Sequence, residues 1–292
     1  MVSIENLEAL DLLIWLQNGN TVGQLVGTNQ STISRRVQRV LSVFEARLQR
    51  RAEGLELVCQ LDSLLDLQRL IHQHYRLVQQ QRLRLNAPHW SLPSLRSSLP
   101  GGWLLNPGLG ERPSDTPLQL LRDHVIDACL VTPTQVQHTG GDDIVLFDLY
   151  DSRIDLYGLP PRQGCDLRCP DLGDPTRLLA TSRLELLPFL PSSCRHHSRL
   201  RFEALLQEQG LQEERHRRGS PAVAVAFLTP LMAARVNAAQ PLNLKVEWPY
   251  QESLAVLRCH ADQPAIGALL ARIRRSLRQA QREHSRALLG HT

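Results

Sequence analysis

The stretch Gln30-Ser31-Thr32-Ile33-Ser34-Arg35-Arg36-Val37-Gln38-Arg39-Val40-Leu41-Ser42-Val43-Phe44 decides the fold. At the roughly 100° per residue of an α-helix, Ile33, Val37, Val40, Leu41 and Phe44 fall on one face. The opposite face carries Ser31, Arg35, Gln38, Arg39 and Ser42, with Thr32, Ser34 and Arg36 on its shoulders and no carboxylate. The spacing predicts a helix over about 30–47. From Gln30 to Arg51 there are six Arg and one Glu, whereas residues 1–29 hold three acids and no base. Positive charge is therefore concentrated on this one element.

Toward the N-terminus, Ser3 reads as an N-cap, and Leu7, Leu10, Leu13 and Ile14 follow at helical spacing. Asn18-Gly19-Asn20 stops that helix, and Thr21 is a cap for a second, short one with Val22, Leu25 and Val26 facing inward. Gly27-Thr28-Asn29 is a turn signal. A short helix, a Gly-containing turn and a helix with a basic outer face make the helix-turn-helix pattern, in which the last helix enters a major groove. Arg35 suits a guanine edge or a phosphate, and Ser31, Thr32 and Ser34 suit the sugar-phosphate backbone or a thymine methyl. A solvated amphipathic helix in an ordinary bundle explains the same face equally well. The candidate DNA contacts are Thr28, Gln30, Ser31, Thr32, Ser34, Arg35, Arg36, Arg39 and Arg51.

Toward the C-terminus, Ala52-Glu53-Gly54-Leu55-Glu56-Leu57 reads as a tight two-stranded wing around Gly54. A long helix then runs to about Arg82. Leu57, Leu61, Leu64, Ile71, Tyr75 and Val78 form a heptad seam, with Gln68 at its polar position and Arg69, Arg76 and Arg82 outside it. From Cys59 to Arg82 is about 36 Å of helix. A seam this narrow and long points to pairing with a second copy; packing on its own domain is the alternative.

After Leu83, Pro and Gly become frequent and short apolar runs alternate with helical patterns. Strands are expected at 83–87, 103–106, 126–131, 144–147, 154–157, 244–247 and 254–257, and helices at 116–123, 202–209 and 264–282. That alternation predicts an α/β region.

The chain has 292 residues, of which 42% are hydrophobic, enough for two cored domains. Its net charge of +4 names no partner, and 32 of its 33 basic residues are Arg, so no single Arg is read as selected for a bidentate contact. The first 30 residues lack the basic start of a signal peptide. The apolar run Ala222–Ala234 is too short to span a bilayer. A cytoplasmic protein with no membrane partner is expected. Cys59, Cys129 and Cys259 read as buried thiols of a reducing compartment. Cys165, Cys169, Cys194, His196 and His197 are read as loop residues rather than a zinc set, because Cys-x3-Cys is not the usual spacing. No nucleophile elbow, phosphate-binding Gly loop or zincin motif is present, so neither an enzyme nor a cofactor is expected.

This order of elements resembles the LysR-type transcriptional regulators. The matching residues are Gly19-Asn20, Val22-Gly23, Val26-Gly27 and Asn29-Gln30-Ser31-Thr32-Ile33-Ser34-Arg35, then Leu48-Gln49-Arg50-Arg51 before the wing, then Leu118 to Val131. The segment between Gly19 and Gln30 is two residues short of the family pattern. Val22-Gly23 replaces a pair of Ala, Gln49 replaces an aromatic, and Val58 and Leu61 replace Thr and Gly. The resemblance implies an N-terminal all-α winged helix-turn-helix over 1–58 and a linker and dimerisation helix over 59–82. An effector domain of α/β class, like the type 2 periplasmic binding proteins, would occupy 83–292, with lobe one at 83–158 and 250–292 and lobe two at 159–249. It implies an inverted-repeat operator in double-stranded DNA, a homodimer or homotetramer, a small-molecule effector between the lobes, and RNA polymerase as a further partner. Effector contacts would fall in loops after strands, at His89, Trp90 and Ser91, at Thr132 and Pro133, and at Thr229. The alternative function is a cytoplasmic small-molecule-binding protein with a degenerate head that does not bind DNA.

Overall fold

The computed structural model describes residues 2–51, 54–87, 95, 99–106, 116–132, 141–159, 183–186, 192–208, 222–233, 239–242, 246 and 248–289. The chain opens with three helices, α1 (Ile4–Leu16), α2 (Gly19–Val26) and α3 (Gln30–Val43). Ser3 caps α1 as expected, its Oγ accepting from the Asn6 N–H, and α1 ends at Gln17 in the left-handed region, φ 61°. Asn18, not Thr21, caps α2: its side chain accepts from the N–H groups of Asn20 and Thr21. The stop signal of one helix is thus the start of the next. Gly27, at φ +70°, closes α2, and Asn29 caps α3 by accepting from the Thr32 N–H at 2.9 Å. At Gly23 a Cβ would lie 2.8 Å from the Thr28 carbonyl oxygen, so only Gly lets α2 approach the turn this closely. Leu10, Leu12, Val22 and Val40 are fully buried in the core between the helices. Each such side chain contributes about 1.5–3 kcal/mol.

The third helix stops at Val43 rather than continuing to Arg47. Phe44 turns inward, Glu45 takes φ +50°, and the chain reverses into strand β1 (Ala46–Arg51). β1 pairs antiparallel with β2 (Gly54–Cys59) from Ala46↔Cys59 to Arg51↔Gly54. The wing is therefore longer than the reading over 52–57, and Leu57 lies on its second strand, packed against the core instead of starting the seam. Helix α4 (Asp62–Gln79) begins three residues after Cys59, where hairpin pairing ends.

The chain divides into two compact units. The first holds residues 1–149 and 252–276, so the head, α4 and the first lobe lie together; the second holds 150–251 and 277–292. In the first unit a five-stranded sheet has the order β4 (Trp103–Leu105), β3 (Leu83–Asn86), β5 (Ala128–Val131), β11 (Pro249–Leu257), β6 (Ile144–Arg153). β3 is parallel to both β4 and β5, and β11 is antiparallel to β5. In the second unit a four-stranded sheet has the order β10 (Gln240–Pro241), β7 (Asp155–Gly158), β9 (Ala222–Leu228), β8 (Arg183–Leu186). The α/β class with a helical winged head is thus as expected, with two sheets in two lobes. The boundary at 158 is corrected to 149–150, because β7 pairs with β9 and β10 of the second sheet. The boundary at 249–250 moves to 251–252, within β11. The tail after Ser276 belongs to the second unit, which adds a third crossing.

The remaining helices are α5 (Thr116–Arg122), α6 (Ser192–Glu208), α7 (Pro230–Ala233) and α8 (Pro264–Leu289). The two strands expected over 144–157 are one long strand, β6, followed by β7. Within the run 222–234, Ala222–Leu228 is strand β9 and Pro230–Ala233 is helix α7, with Val225, Ala226 and Leu228 fully buried. The strand expected at 244–247 falls mostly outside the described residues; Val246 is in no strand. Cys59 is half-buried and Cys129 buried, its thiol pushed up to about 12 by burial, whereas Cys259 is exposed in the 3-10 turn Arg258–His260.

On α4 the polar face points inward. Arg69, His72, Gln73 and Arg76 are buried. Arg69 Nε donates to Asp11 at 2.9 Å, and Arg76 grips Asp127 at 2.9 and 3.2 Å. His72 Nδ1 faces Arg76 Nη1 at 3.3 Å, where only a neutral ring can accept. Burial, then Arg76 and Arg84, push its pKa down to about 4. An unfolded His titrates near 6.5, so the unfolded chain binds the extra proton first. Stability is fully present above pH 6.5 and falls as pH drops toward 4. The expected loss is about 3 kcal/mol. Urea unfolding at pH 7 and pH 4.5 measures it, and His72→Gln should flatten the difference.

Candidate nucleic-acid interface

The apolar stripe of α3 seats Ile33, Val37, Val40 and Leu41 in the head's core. That rotation sets the other face outward: Gln30, Ser31, Ser34, Arg35, Gln38, Arg39 and Ser42 are exposed, while Thr32 and Arg36 are half-buried. From Ser31 to Arg39 the helix rises about 12 Å, the width of a B-DNA major groove. Arg35 lies back along the helix, Nε toward the Ser31 carbonyl at 3.4 Å and Nη2 toward Thr32 Oγ1 at 3.5 Å. Both bonds are long and exposed, so the guanidinium is free to swing to a base or a phosphate. Ser31 Oγ donates to Asn29 Oδ1 at 2.8 Å. Thr28 is half-buried and its N–H donates to the Gly23 carbonyl at 2.8 Å, which makes it a turn residue first.

The wing adds Arg47, Arg50 and Arg51, all exposed on β1. Arg51 carries an ion pair with Glu56 on the facing strand, so a phosphate there has to displace that partner. Gln17 was not singled out in the sequence, yet it fastens the wing to α1. Its Oε1 accepts from the Leu55 N–H at 2.5 Å, and its Nε2 donates to the Ile14 carbonyl at 2.6 Å. A Gln closing a helix just before a turn carries no pattern that announces this contact.

The seam residues of α4 turn outward. Leu61, Leu64, Ile71, Tyr75 and Val78 are exposed at 36–63%, and Leu67 at 55% joins them. Gln68, assigned the polar seam position, instead donates to the Val2 carbonyl at 2.7 Å. One continuous apolar stripe therefore runs along a helix whose opposite face is fixed by buried ion pairs.

Of the expected effector contacts, His89, Trp90, Ser91 and Pro133 lie outside the described residues. Thr132 is buried at the C-terminal end of β5. Thr229 is buried after β9, and its Oγ1 accepts from the Met232 N–H at 3.3 Å, capping α7. Cys194, His196 and His197 lie on α6 rather than in a loop; Cys165 and Cys169 are outside the described residues. Among the described residues no group of three or more His, Cys, Asp or Glu is placed to hold a metal ion. None of the described helices is long and apolar enough to cross a membrane.

No family model and no curated protein matches the chain. Solved structures do. OxyR of Corynebacterium glutamicum in its hydrogen-peroxide-bound form aligns with 98% of this chain and 96% of its own, at 11% identity and a TM-score of 0.46. Full-length OxyR of Pseudomonas aeruginosa covers 94% of this chain and 95% of its own, at 13% identity and a TM-score of 0.48. CbnR, a LysR family transcriptional regulator also solved with its target DNA, aligns over 94% of this chain and 99% of its own, at 14% identity and a TM-score of 0.45. Each of these likenesses is at 14% identity or less and a TM-score under 0.5.

Proposed function

We propose that the protein is a LysR-type transcription regulator that binds double-stranded DNA through α3 and the wing. The observation that carries this reading is the outer face of α3, where Ser31, Ser34, Arg35, Gln38 and Arg39 stand exposed without a carboxylate. Phosphates supply most of the affinity for such a surface, and base edges the specificity. The segment that is two residues short of the family pattern still forms a helix, a turn and a helix, which supports a working head. The apolar stripe of α4 is the surface on which a second copy pairs, giving a dimer that reads an inverted repeat. A small-molecule effector bound at the strand ends of the first unit's sheet, with Thr132 after β5 among its contacts, sets the placement of the heads.

Genome-wide footprinting identifies the operator, and titration of that duplex tests the roles. Arg35→Ala should weaken specific binding by about 1–3 kcal/mol and leave a scrambled duplex nearly unaffected, as a base contact does. Arg39→Ala should weaken both about equally, as a phosphate contact does. A folded dimer that binds no duplex would instead favour a small-molecule-binding protein with an inactive head.

A further inference from the structure

The head is not a separate bead on a linker. On α1, Glu8, Asp11 and Trp15 share one face at spacings of three and four. On the chain entering and forming β3, Arg82, Arg84 and Asn86 share one face at spacings of two. The two rows meet rung by rung. Arg82 Nη1 donates to Glu8 at 2.5 Å, Arg84 Nη1 lies 3.6 Å from Asp11 Oδ2, and Trp15 Nε1 donates to Asn86 Oδ1 at 3.2 Å.

The middle rung is fully buried, with Asp11 and Arg84 both at 0% exposure. The same Nη1 donates to the Val125 carbonyl at 2.6 Å, and the Arg84 backbone N–H donates to Asp127 at 2.7 Å. Asp11 is shared with Arg69 of α4. Arg84 Nε and Nη2 have no hydrogen-bond partner among the described residues. A half-satisfied buried guanidinium is a costly way to fill a core and is weak evidence for stability alone.

Resting on the regulator reading above, we propose that Arg84 is a positioning residue: with its outer rungs it clamps α1 to β3, so the first lobe and the recognition helix move as one body. The route is short. β3 holds Asp11 and Trp15, α1 packs on α3 through the shared core of Leu7, Leu10, Val37 and Val40, and α3 presents Arg35. A signal that displaces β3 therefore moves the DNA-reading face without first passing along α4.

Hydrogen exchange on the full-length chain tests the clamp without DNA. Arg84→Met removes the charge at similar volume and leaves Asp11 with Arg69. Exchange in α1 and α3 should rise about tenfold or more while β5 and β11 keep their protection. Arg84→Lys should restore part of the difference. The paired variant Glu8→Gln with Trp15→Phe removes the two outer rungs conservatively, should show the same local pattern more weakly, and decides the matter if Arg84→Met does not fold. Unchanged exchange in α1, or an equal rise in β5 and β11, overturns the clamp. In parallel, DNA titration should show Arg35→Ala losing affinity with normal exchange, and the clamp variants changing affinity with raised exchange. If the wild type binds no duplex, the regulator reading fails while the exchange data still judge the clamp.

Discussion

Replacing Ile71 with Asp is expected to convert a dimer of this chain into a monomer and to lower operator affinity by about two orders of magnitude or more. Ile71 is 63% exposed on α4, central among Leu64, Leu67, Tyr75 and Val78. Pairing two such stripes buries apolar side chains at about 1.5–3 kcal/mol each. A carboxylate at the centre must be desolvated without a partner, at a cost of several kcal/mol. The helix itself should survive, because its fixed contacts are on the other face, at Arg69, Gln73 and Arg76. Sedimentation velocity reads the result, with Ile71→Leu as a control that stays dimeric. A wild type that is monomeric at all concentrations, or an Ile71→Asp variant that remains a dimer, contradicts the seam.

The second large effect concerns Asp127. Its carboxylate, buried at 2% residue exposure, accepts two bonds from Arg76 and one from the Arg84 backbone. Asp127→Asn leaves the Arg76 guanidinium buried without its counter-charge. Breaking a buried pair in this way costs about 3–5 kcal/mol. An exposed pair behaves differently: Arg199 and Glu203 lie on the surface of α6, with Arg199 71% exposed. Arg199→Ala should therefore change stability by about 0.5 kcal/mol or less. Urea unfolding at neutral pH compares the two. Equal effects would mean that the buried cluster contributes no more than a surface pair.

Much of the head was legible because its signals are local. The spacing of Ile33, Val37, Val40 and Leu41 fixes which side of α3 faces solvent, and Ser3 and the Gly27 turn mark helix ends. The end of α3 was not legible, since Phe44 continues the apolar stripe and the hairpin partner of β1 lies 3–13 residues away. On α4 the stripe was visible, but the partners of the opposite face were not. Arg69 and Arg76 look like solvated charges until Asp11 and Asp127, 58 and 51 residues distant, are brought against them. The lobe boundary was misplaced because β6 and β11 are long strands that run through it. The clamp on α1 joins residues more than 70 positions apart and has no local signature.

Duplex DNA seated on the outer face of α3 is the central expectation. The direct measurement is the affinity of the full-length protein for its footprinted duplex across salt concentrations, read by fluorescence anisotropy. Log affinity should fall linearly with log salt, by about 0.9 per phosphate contacted, and the slope should shrink by about one for each site lost in Arg39→Ala. No binding at low salt, or a slope that Arg39→Ala leaves unchanged, would contradict it.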